Sequence, residues 1–320
     1  MVTVIRTNRK SAVLTPSSLA CLSHMPTINL TSGCAHGCVY CYTRGYSTHP
    51  GEDKVVIYRN TLEKLKGELA RKRKKPQAVY FSPSSDLFQP VPEILELGYH
   101  ILEVLFSQGI GVAFLSKGHI PDKTMILLLN NADKVRAQIG ITTLDGNIQR
   151  MFEPNTASPG ERIEQIAKLV SGGIATEARL DPVLPGLTDD ENTLQPLFST
   201  LSEVGVKHIA ASTLFLRSSV LESLRRNVKN TELLHSLLDF YRDAKRMAIH
   251  AERSSVIALP NVTRDEIYTR IGRIAEEYDI KISICACKNP DFAHGTCNIG
   301  GNWLKSSEGD AQGKLFDQGE

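Results

Sequence analysis

The stretch Gly33-Cys34-Ala35-His36-Gly37-Cys38-Val39-Tyr40-Cys41 places three thiols within eight positions, separated by three residues and then by two. Thiolates are soft ligands that select zinc or iron–sulfur clusters among biological metals. A structural zinc site normally draws four protein ligands, yet the next cysteine downstream is Cys285. Four-iron clusters usually take four cysteines. A set of three leaves one iron open to a small molecule, and an open iron is where chemistry can occur. A zinc knuckle is the competing reading of the same residues.

The run resembles the cysteine motif of the radical S-adenosylmethionine (SAM) enzymes, in which an aromatic residue precedes the last cysteine. Tyr40 stands in that place. The resemblance implies a [4Fe-4S] cluster on Cys34, Cys38 and Cys41, with the amino and carboxylate groups of SAM chelating the open iron. It implies reductive cleavage of SAM to a 5′-deoxyadenosyl radical that takes a hydrogen atom from a substrate. The electron would come from a donor such as flavodoxin or ferredoxin. It also implies that Tyr40 packs near the adenine, while Gly33 and Gly37 let the loop wrap the cluster closely, as a missing side chain permits.

At 320 residues the chain has room for one large α/β domain of barrel size or two ordinary ones. The formal net charge of +2 gives no general argument for nucleic-acid binding. Basic residues nonetheless cluster at Arg71-Lys72-Arg73-Lys74-Lys75. Such a run either touches phosphates or solvates a helix end, where cations complement the helix dipole. No stretch reaches the roughly 18 apolar residues that span a bilayer, and the N-terminus lacks the apolar core of a signal peptide. A cytoplasmic location is expected. Seven cysteines, mostly in two groups, fit metal binding in a reducing compartment better than a disulfide framework.

Outward from the cysteine run, β-rich segments alternate with amphipathic ones over 26–217, the pattern of βα units around a parallel sheet. Strands are predicted at 27–32, 78–82, 111–116, 135–143, 176–183 and 208–215. Continuously apolar stretches such as Val112-Ala113-Phe114-Leu115 suit strands covered on both faces. Helices are predicted at 61–73, 92–107, 122–131, 159–171 and 190–204. In the fourth, Ile163, Ile166, Ala167 and Val170 form the apolar stripe. The expected fold is α/β, a partial (β/α)6 barrel over 26–217 behind an N-terminal extension at 1–25. A helical C-terminal extension at 218–304 follows, with helices at 222–227, 231–247 and 263–278, a strand at 281–284 and a second cysteine group. The polar segment 305–320 reads as a frayed tail.

Ligands of parallel α/β folds gather at the carboxyl ends of the strands. The second strand runs into Ser82-Pro83-Ser84-Ser85-Asp86, so Ser84, Ser85 and Asp86 could accept hydrogen bonds from a ligand ammonium. Lys117, ending the third strand, could meet its carboxylate. Turn chemistry explains each of these residues singly, but their placement after successive strands favours a site. Thr142 and Thr143 alternate in direction along a strand, so at most one of them faces the barrel axis, and that one could meet a ribose. Ser158 with Glu161 reads as a capping box, which leaves Glu153 and Arg162 as groups supporting the site from behind. Arg179 is a charge in a core strand and needs a partner. Asp181 is the local one, and a ligand carboxylate the functional alternative.

Taken with Gln89-Pro90, Thr142-Thr143-Leu144-Asp145, Glu153-Pro154 and Leu184-Pro185-Gly186-Leu187-Thr188-Asp189, these segments resemble the spore photoproduct lyase-like branch of radical SAM proteins over 26–217. That resemblance implies that Ser85, Lys117 and one of Thr142 or Thr143 lie near SAM. Spore photoproduct lyase itself carries a cysteine on the loop after the second strand, which returns a hydrogen atom to the product radical. Here the loop reads Pro83-Ser84-Ser85, so thymine-dimer splitting is not expected.

A second group, Cys285, Cys287 and Cys297, falls within thirteen positions. It reads as an auxiliary iron–sulfur cluster or a zinc site, with His294 or Cys21 able to complete a tetrahedral set. Buried thiols acting as small core hydrophobes are the plainer alternative. The function expected is that of a radical SAM enzyme acting on an undetermined substrate, nucleic acid or peptide. The alternative from another class is a zinc-stabilised nucleic-acid-binding module without catalysis, whose affinity would fall steeply with salt.

Overall fold

A strand covered on both faces needs no polar side, whereas a helix lying on a sheet needs only one apolar stripe, and the two sequence patterns sort into elements accordingly. The computed structural model describes residues 2–17, 20–23, 25–249 and 254–292. The first strands are β1 (Thr3–Thr7), β2 (Thr15–Pro16), β3 (Pro26–Ile28), β4 (Thr31–Ser32) and β5 (Lys54–Tyr58), followed by helix α1 (Thr61–Arg71) and β6 (Ala78–Phe81). Then come α2 (Pro92–Ser107), β7 (Gly111–Ser116), α3 (Asp122–Leu129), β8 (Val135–Gly140), α4 (Gly146–Phe152) and α5 (Pro159–Ser171). Next are β9 (Ala175–Val183), α6 (Glu191–Glu203), β10 (His208–Thr213), α7 (Ser218–Asn227) and α8 (Thr231–Asp239). The described chain ends with β11 (Lys245–Ile249), β12 (Ser254–Ala258), α9 (Asn261–Glu277) and β13 (Lys281–Ile284).

The main sheet has the order β13-β10-β9-β8-β7-β6-β3-β2. Every neighbouring pair from β3 to β13 is parallel, and only the edge strand β2 runs antiparallel. Among the described residues no ladder joins β13 to β2, so the sheet is an open, partial barrel. Its helix-facing side is packed with residues such as Phe114, Ile139, Leu180 and Phe198, all fully buried. β13 lies outside the six predicted βα units but extends the same sheet through His208↔Lys281 to Ala211↔Ile284. That pairing brings the end of β13, and with it Cys285, to the carboxyl edge shared by all the parallel strands. No described helix is long and apolar enough to cross a membrane.

Several local expectations shift. The predicted strand 27–32 divides: β3 stays in the main sheet, while β4 joins β5 and β1 in a small side sheet of order β1-β5-β4. Gly33 follows immediately, at φ +78°, and a Cβ there would sit 2.6 Å from the Lys54 carbonyl oxygen. Glycine is required because the side sheet passes so close. The strand predicted at 135–143 stops at Gly140, leaving Thr142 and Thr143 in the following loop. In α5 the buried residues include Arg162, Gln165, Ile166 and Leu169, not the purely apolar set expected. The face is turned because two polar side chains are spent on tertiary hydrogen bonds. The helix predicted at 231–247 ends at Asp239, and Lys245–Ile249 pairs antiparallel with Ser254–Ala258. Leu216 and Ile257 exchange backbone hydrogen bonds at 2.9 and 2.8 Å, so tertiary pairing overrides helical propensity there. Cys297, His294 and the segment 305–320 lie outside the described residues.

Two glycines test how tightly the strand ends are packed. A Cβ at Gly118 would lie 2.0 Å from the Phe88 carbonyl oxygen, whereas at Gly160 it would meet nothing within 4 Å. Gly118→Ala should destabilise by about 1–3 kcal/mol. Gly160→Ala, inside α5, should be neutral or stabilise by up to about 1 kcal/mol. Chemical denaturation of both variants checks this, and equal effects would contradict the packing described.

Candidate active site

At the carboxyl edge of the sheet lies a cavity of about 460 Å³. Cys34, Cys38, Tyr40 and Cys41 line one side of it, and Ser82, Ser84, Ser85 and Asp86 enter from the loop after β6. Lys117 follows β7, Arg179 and Asp181 come from β9, and Cys285, Cys287 and Lys288 follow β13. The exposed run Arg71 to Lys75 precedes β6 and therefore stands at the opposite, amino edge of the sheet.

The cysteine loop has little regular structure, so its backbone groups need partners from elsewhere. The Val39 N–H donates to the Phe152 carbonyl at 2.9 Å, and the Asn155 N–H donates to the His36 carbonyl at 3.2 Å. The Asn155 side chain reaches the Ala35 carbonyl, while the Ala35 N–H donates to the Gln89 side chain at 2.9 Å. Arg44 donates to the carbonyls of Gly37 and Cys38. These ties fix the path between the thiols before any ligand is present. Burial, then Asp86 and Cys38, holds the Cys34 thiol well above its ordinary pKa. Burial, then Glu153, pushes Cys38 up to about 12. Such thiols become thiolates only beside a cation, which a coordinated metal supplies. Among the described residues no three His, Cys, Asp or Glu side chains converge on one ion-sized point. Three thiols on one loop are donors of the kind that a thiolate-bound metal centre needs.

Glu153 lies behind the loop, 1 % exposed, and gathers three donors. Lys117 Nζ donates to its Oε1 at 2.7 Å, and Arg162 and the Tyr40 hydroxyl also donate to it. Lys117 reaches the Tyr40 oxygen at 2.6 Å and the Asp181 carbonyl at 3.1 Å as well. Arg162 is itself buried and donates to the carbonyls of Ala157 and Gly140, both at 2.8 Å. Burial works against the Glu153 charge, but Lys117 and Arg162 outweigh it and lower the pKa to about 2.

The remaining predicted residues divide by what they touch. Asp86 accepts from Ser116 and the Phe88 N–H at 2.8 Å and from the Lys117 N–H at 2.9 Å, with His36 Nε2 at 3.2 Å. It is a strut between two strand ends whose oxygens are already engaged. Ser84 donates to the Asn29 side chain at 2.9 Å. Arg179 pairs with Asp181 at 2.9 Å, the local partner expected, and Lys288 pairs with the same carboxylate at 2.6 Å. Thr142 and Thr143 are buried but absent from the cavity lining, and Thr143 Oγ1 accepts the Asp145 N–H. The hydroxyl oxygens of Ser82 and Ser85 are buried without a hydrogen-bond partner. Ser82 was missed in the sequence. Its signal is the left-handed backbone, φ +52°, at a strand end, which no sequence pattern displays.

Three thiols on one loop thus stand at the carboxyl edge of an open, mostly parallel α/β sheet. The Radical SAM superfamily profile matches residues 28–195, more than half of the chain, and the chain belongs to that superfamily. An uncharacterized protein of Mycobacterium tuberculosis is 28% identical over 221 residues, which are 66% of this chain and 64% of that protein. The match thus covers less than two thirds of that relative's length. The Radical SAM Nalpha-GlyT isomerase of Pseudomonas phage M6 is 28% identical over 177 residues, covering 55% of this chain and 36% of the isomerase. A point mutant of spore photoproduct lyase shares the fold with a TM-score of 0.66 at 14% identity, covering 88% of this chain and 81% of the lyase.

Removing the Glu153 charge leaves Lys117 and Arg162 buried against each other. Glu153→Gln should therefore cost about 3–5 kcal/mol. Ser85→Ala, which removes a buried hydroxyl without a partner, should be neutral or stabilise by up to about 1–3 kcal/mol. Urea unfolding of both variants is the measurement, and a mild Glu153→Gln would show that the ion cluster is dispensable.

Proposed function

We propose that the protein is a radical SAM enzyme that holds a [4Fe-4S] cluster on Cys34, Cys38 and Cys41 and binds SAM in the adjoining cavity. When bound, cluster and SAM supply a 5′-deoxyadenosyl radical on receipt of an electron from a donor such as flavodoxin or ferredoxin. The observation that carries the reading is that three half-buried loop thiols and the two partnerless hydroxyls of Ser82 and Ser85 line one cavity. An unsatisfied buried hydroxyl costs roughly 1–3 kcal/mol. A polar ligand removes that cost, so these oxygens are the groups that a ligand ammonium or ribose would meet.

The chain's own residues orient and enclose. Tyr40, its hydroxyl fixed by Glu153 and Lys117, offers a ring edge to the ligand's base. Lys117 adds positive charge without leaving its carboxylate, so it attracts a ligand carboxylate through the field rather than by a dedicated contact. Arg179 and Lys288 share Asp181 and leave net positive charge on that wall. Thr142 and Thr143 lie outside this wall and are given no ligand contact. The substrate enters past Tyr46, His49 and Arg217, a polar and aromatic rim suited to a nucleic-acid or peptide group. The phage relative is named an isomerase, and a rearrangement begun by hydrogen abstraction is compatible with the same cavity.

Anaerobic reconstitution with iron and sulfide, reduction, and addition of SAM should yield 5′-deoxyadenosine, and Cys34→Ala, Cys38→Ala or Cys41→Ala should abolish it. Cluster-loaded wild-type protein that forms none would overturn the proposal. Ser85→Ala should weaken SAM binding roughly tenfold, read by equilibrium dialysis on loaded protein.

A further inference from the structure

The two ends of the open sheet carry thiols to one place. The cysteine run follows β3 and β4 near one edge, whereas Cys285 and Cys287 follow β13, the strand at the opposite edge. Both groups nevertheless line the same cavity. We infer that Cys285 and Cys287 supply two ligands of a second iron–sulfur cluster that shares this cavity with the first.

Thiols that serve only as core hydrophobes need packing and nothing more. This segment is held by polar groups dedicated to it. Asn289 is fully buried: its side-chain oxygen accepts from the Tyr268 hydroxyl at 2.8 Å, and its amide donates to the Cys285 carbonyl at 3.3 Å. The backbone N–H groups of Lys288 and Asn289 donate to that same carbonyl at 3.1 and 2.8 Å. Lys288 is anchored to Asp181 of β9 at 2.6 Å. Further along, Arg264 of α9 is 1 % exposed and grips Asp291. Strand β9 and helix α9 thus fix a turn whose side chains face the cavity.

The surroundings suit thiolate ligation. Cys285 packs on Ala210, and Cys287 lies among Phe215, Met247, Ile249 and Val256, so the pair has a dry apolar flank formed partly by the β11–β12 hairpin. On the polar flank stand Lys288 and Arg179, two cations sharing one carboxylate, which leaves positive charge to offset anionic sulfur. Among the described residues no three His, Cys, Asp or Glu side chains converge on an ion-sized point around the pair. Cys297, the next thiol in the chain, lies outside the described residues, and the inference rests on the pair.

The test counts metal and does not depend on catalysis. After anaerobic reconstitution with iron and sulfide, wild-type protein should bind clearly more than the roughly four irons of one cluster. The triple variant Cys34→Ala, Cys38→Ala, Cys41→Ala should keep iron, sulfide and the visible absorption of a cluster. Cys285→Ala with Cys287→Ala should lower the wild-type count to about four irons. Saturation of the wild type at one cluster, a triple variant free of iron, or zinc replacing iron and sulfide at the second pair would each overturn the inference. The first two outcomes are read on proteins with Cys285 and Cys287 intact, so misfolding of the double variant cannot mask them. Protein that loads one cluster and forms 5′-deoxyadenosine loses only the second cluster. Protein that loads two and forms none loses only the proposed reaction.

Discussion

A single buried carboxylate, Glu153, carries the organisation of the cavity. It pairs with two cations that arrive from different directions, Lys117 from the end of β7 and Arg162 from the buried face of α5. Through Tyr40 it also reaches the cysteine loop. Desolvating three charges is costly, and only dense mutual pairing with further hydrogen bonds offsets it. Arg162 meets that condition with two backbone carbonyls and Lys117 with one. The arrangement therefore specifies position more than it adds stability: a shift of the loop, strand end or helix would leave a charge alone in the interior. Irregular backbone around the thiols is tolerated because this ion cluster stands behind it.

The second constraint is the openness of the sheet. A closed barrel would bury both of its edges in each other, whereas here the β2 and β13 edges remain apart, and the lining of the cavity draws on segments from both ends. The side sheet β1-β5-β4 continues the chain beyond β3 and turns it at Gly33 into the cysteine run. At the other end, β13 adds a seventh parallel strand and delivers Cys285 to the carboxyl edge. Parallel pairing fixes which edge that is, because every parallel strand must finish on the same side. Topology alone thus brings together cysteines separated by some 250 positions (285 − 34 = 251).

The sequence disclosed whatever rested on periodicity or on residue chemistry. Strands β7 and β13 and helices α2 and α5 lie where their apolar patterns put them, and the capping box at Ser158 and Glu161 is formed. The cysteine loop, the β6 loop and Lys117 do meet at one cavity. What stayed hidden depended on partners far along the chain. Lys245–Ile249 looks helical until Ile257 supplies a ladder for the neighbouring backbone. The strand predicted to reach Thr143 ends three residues early, at Gly140, and neither Thr142 nor Thr143 lines the cavity. Asp86 reads as a ligand group because its type and place are right, yet its oxygens are taken by Ser116, Phe88, Lys117 and His36. Residue type announces capacity for hydrogen bonding, and only the fold decides how much of it is left over.

That remainder bears on what the cavity can choose. Lys117 is paired with Glu153, Arg179 and Lys288 with Asp181, and Arg44 with Glu52, so the charges along the wall are largely spent on one another. Burial would oppose the charge of Asp181, but Lys288 and Arg179 lower its pKa to about 2, so the carboxylate stays ionised at neutral pH. A field that is fixed before binding costs little to reorganise when a ligand arrives. The hydroxyls of Ser82 and Ser85 are neutral and have no hydrogen-bond partner. Under the proposed reading, a zwitterion with an ammonium and a carboxylate on one carbon, the form of SAM's methionyl end, would find fixed charges of both signs along the wall and directional contacts at the hydroxyls of Ser82 and Ser85.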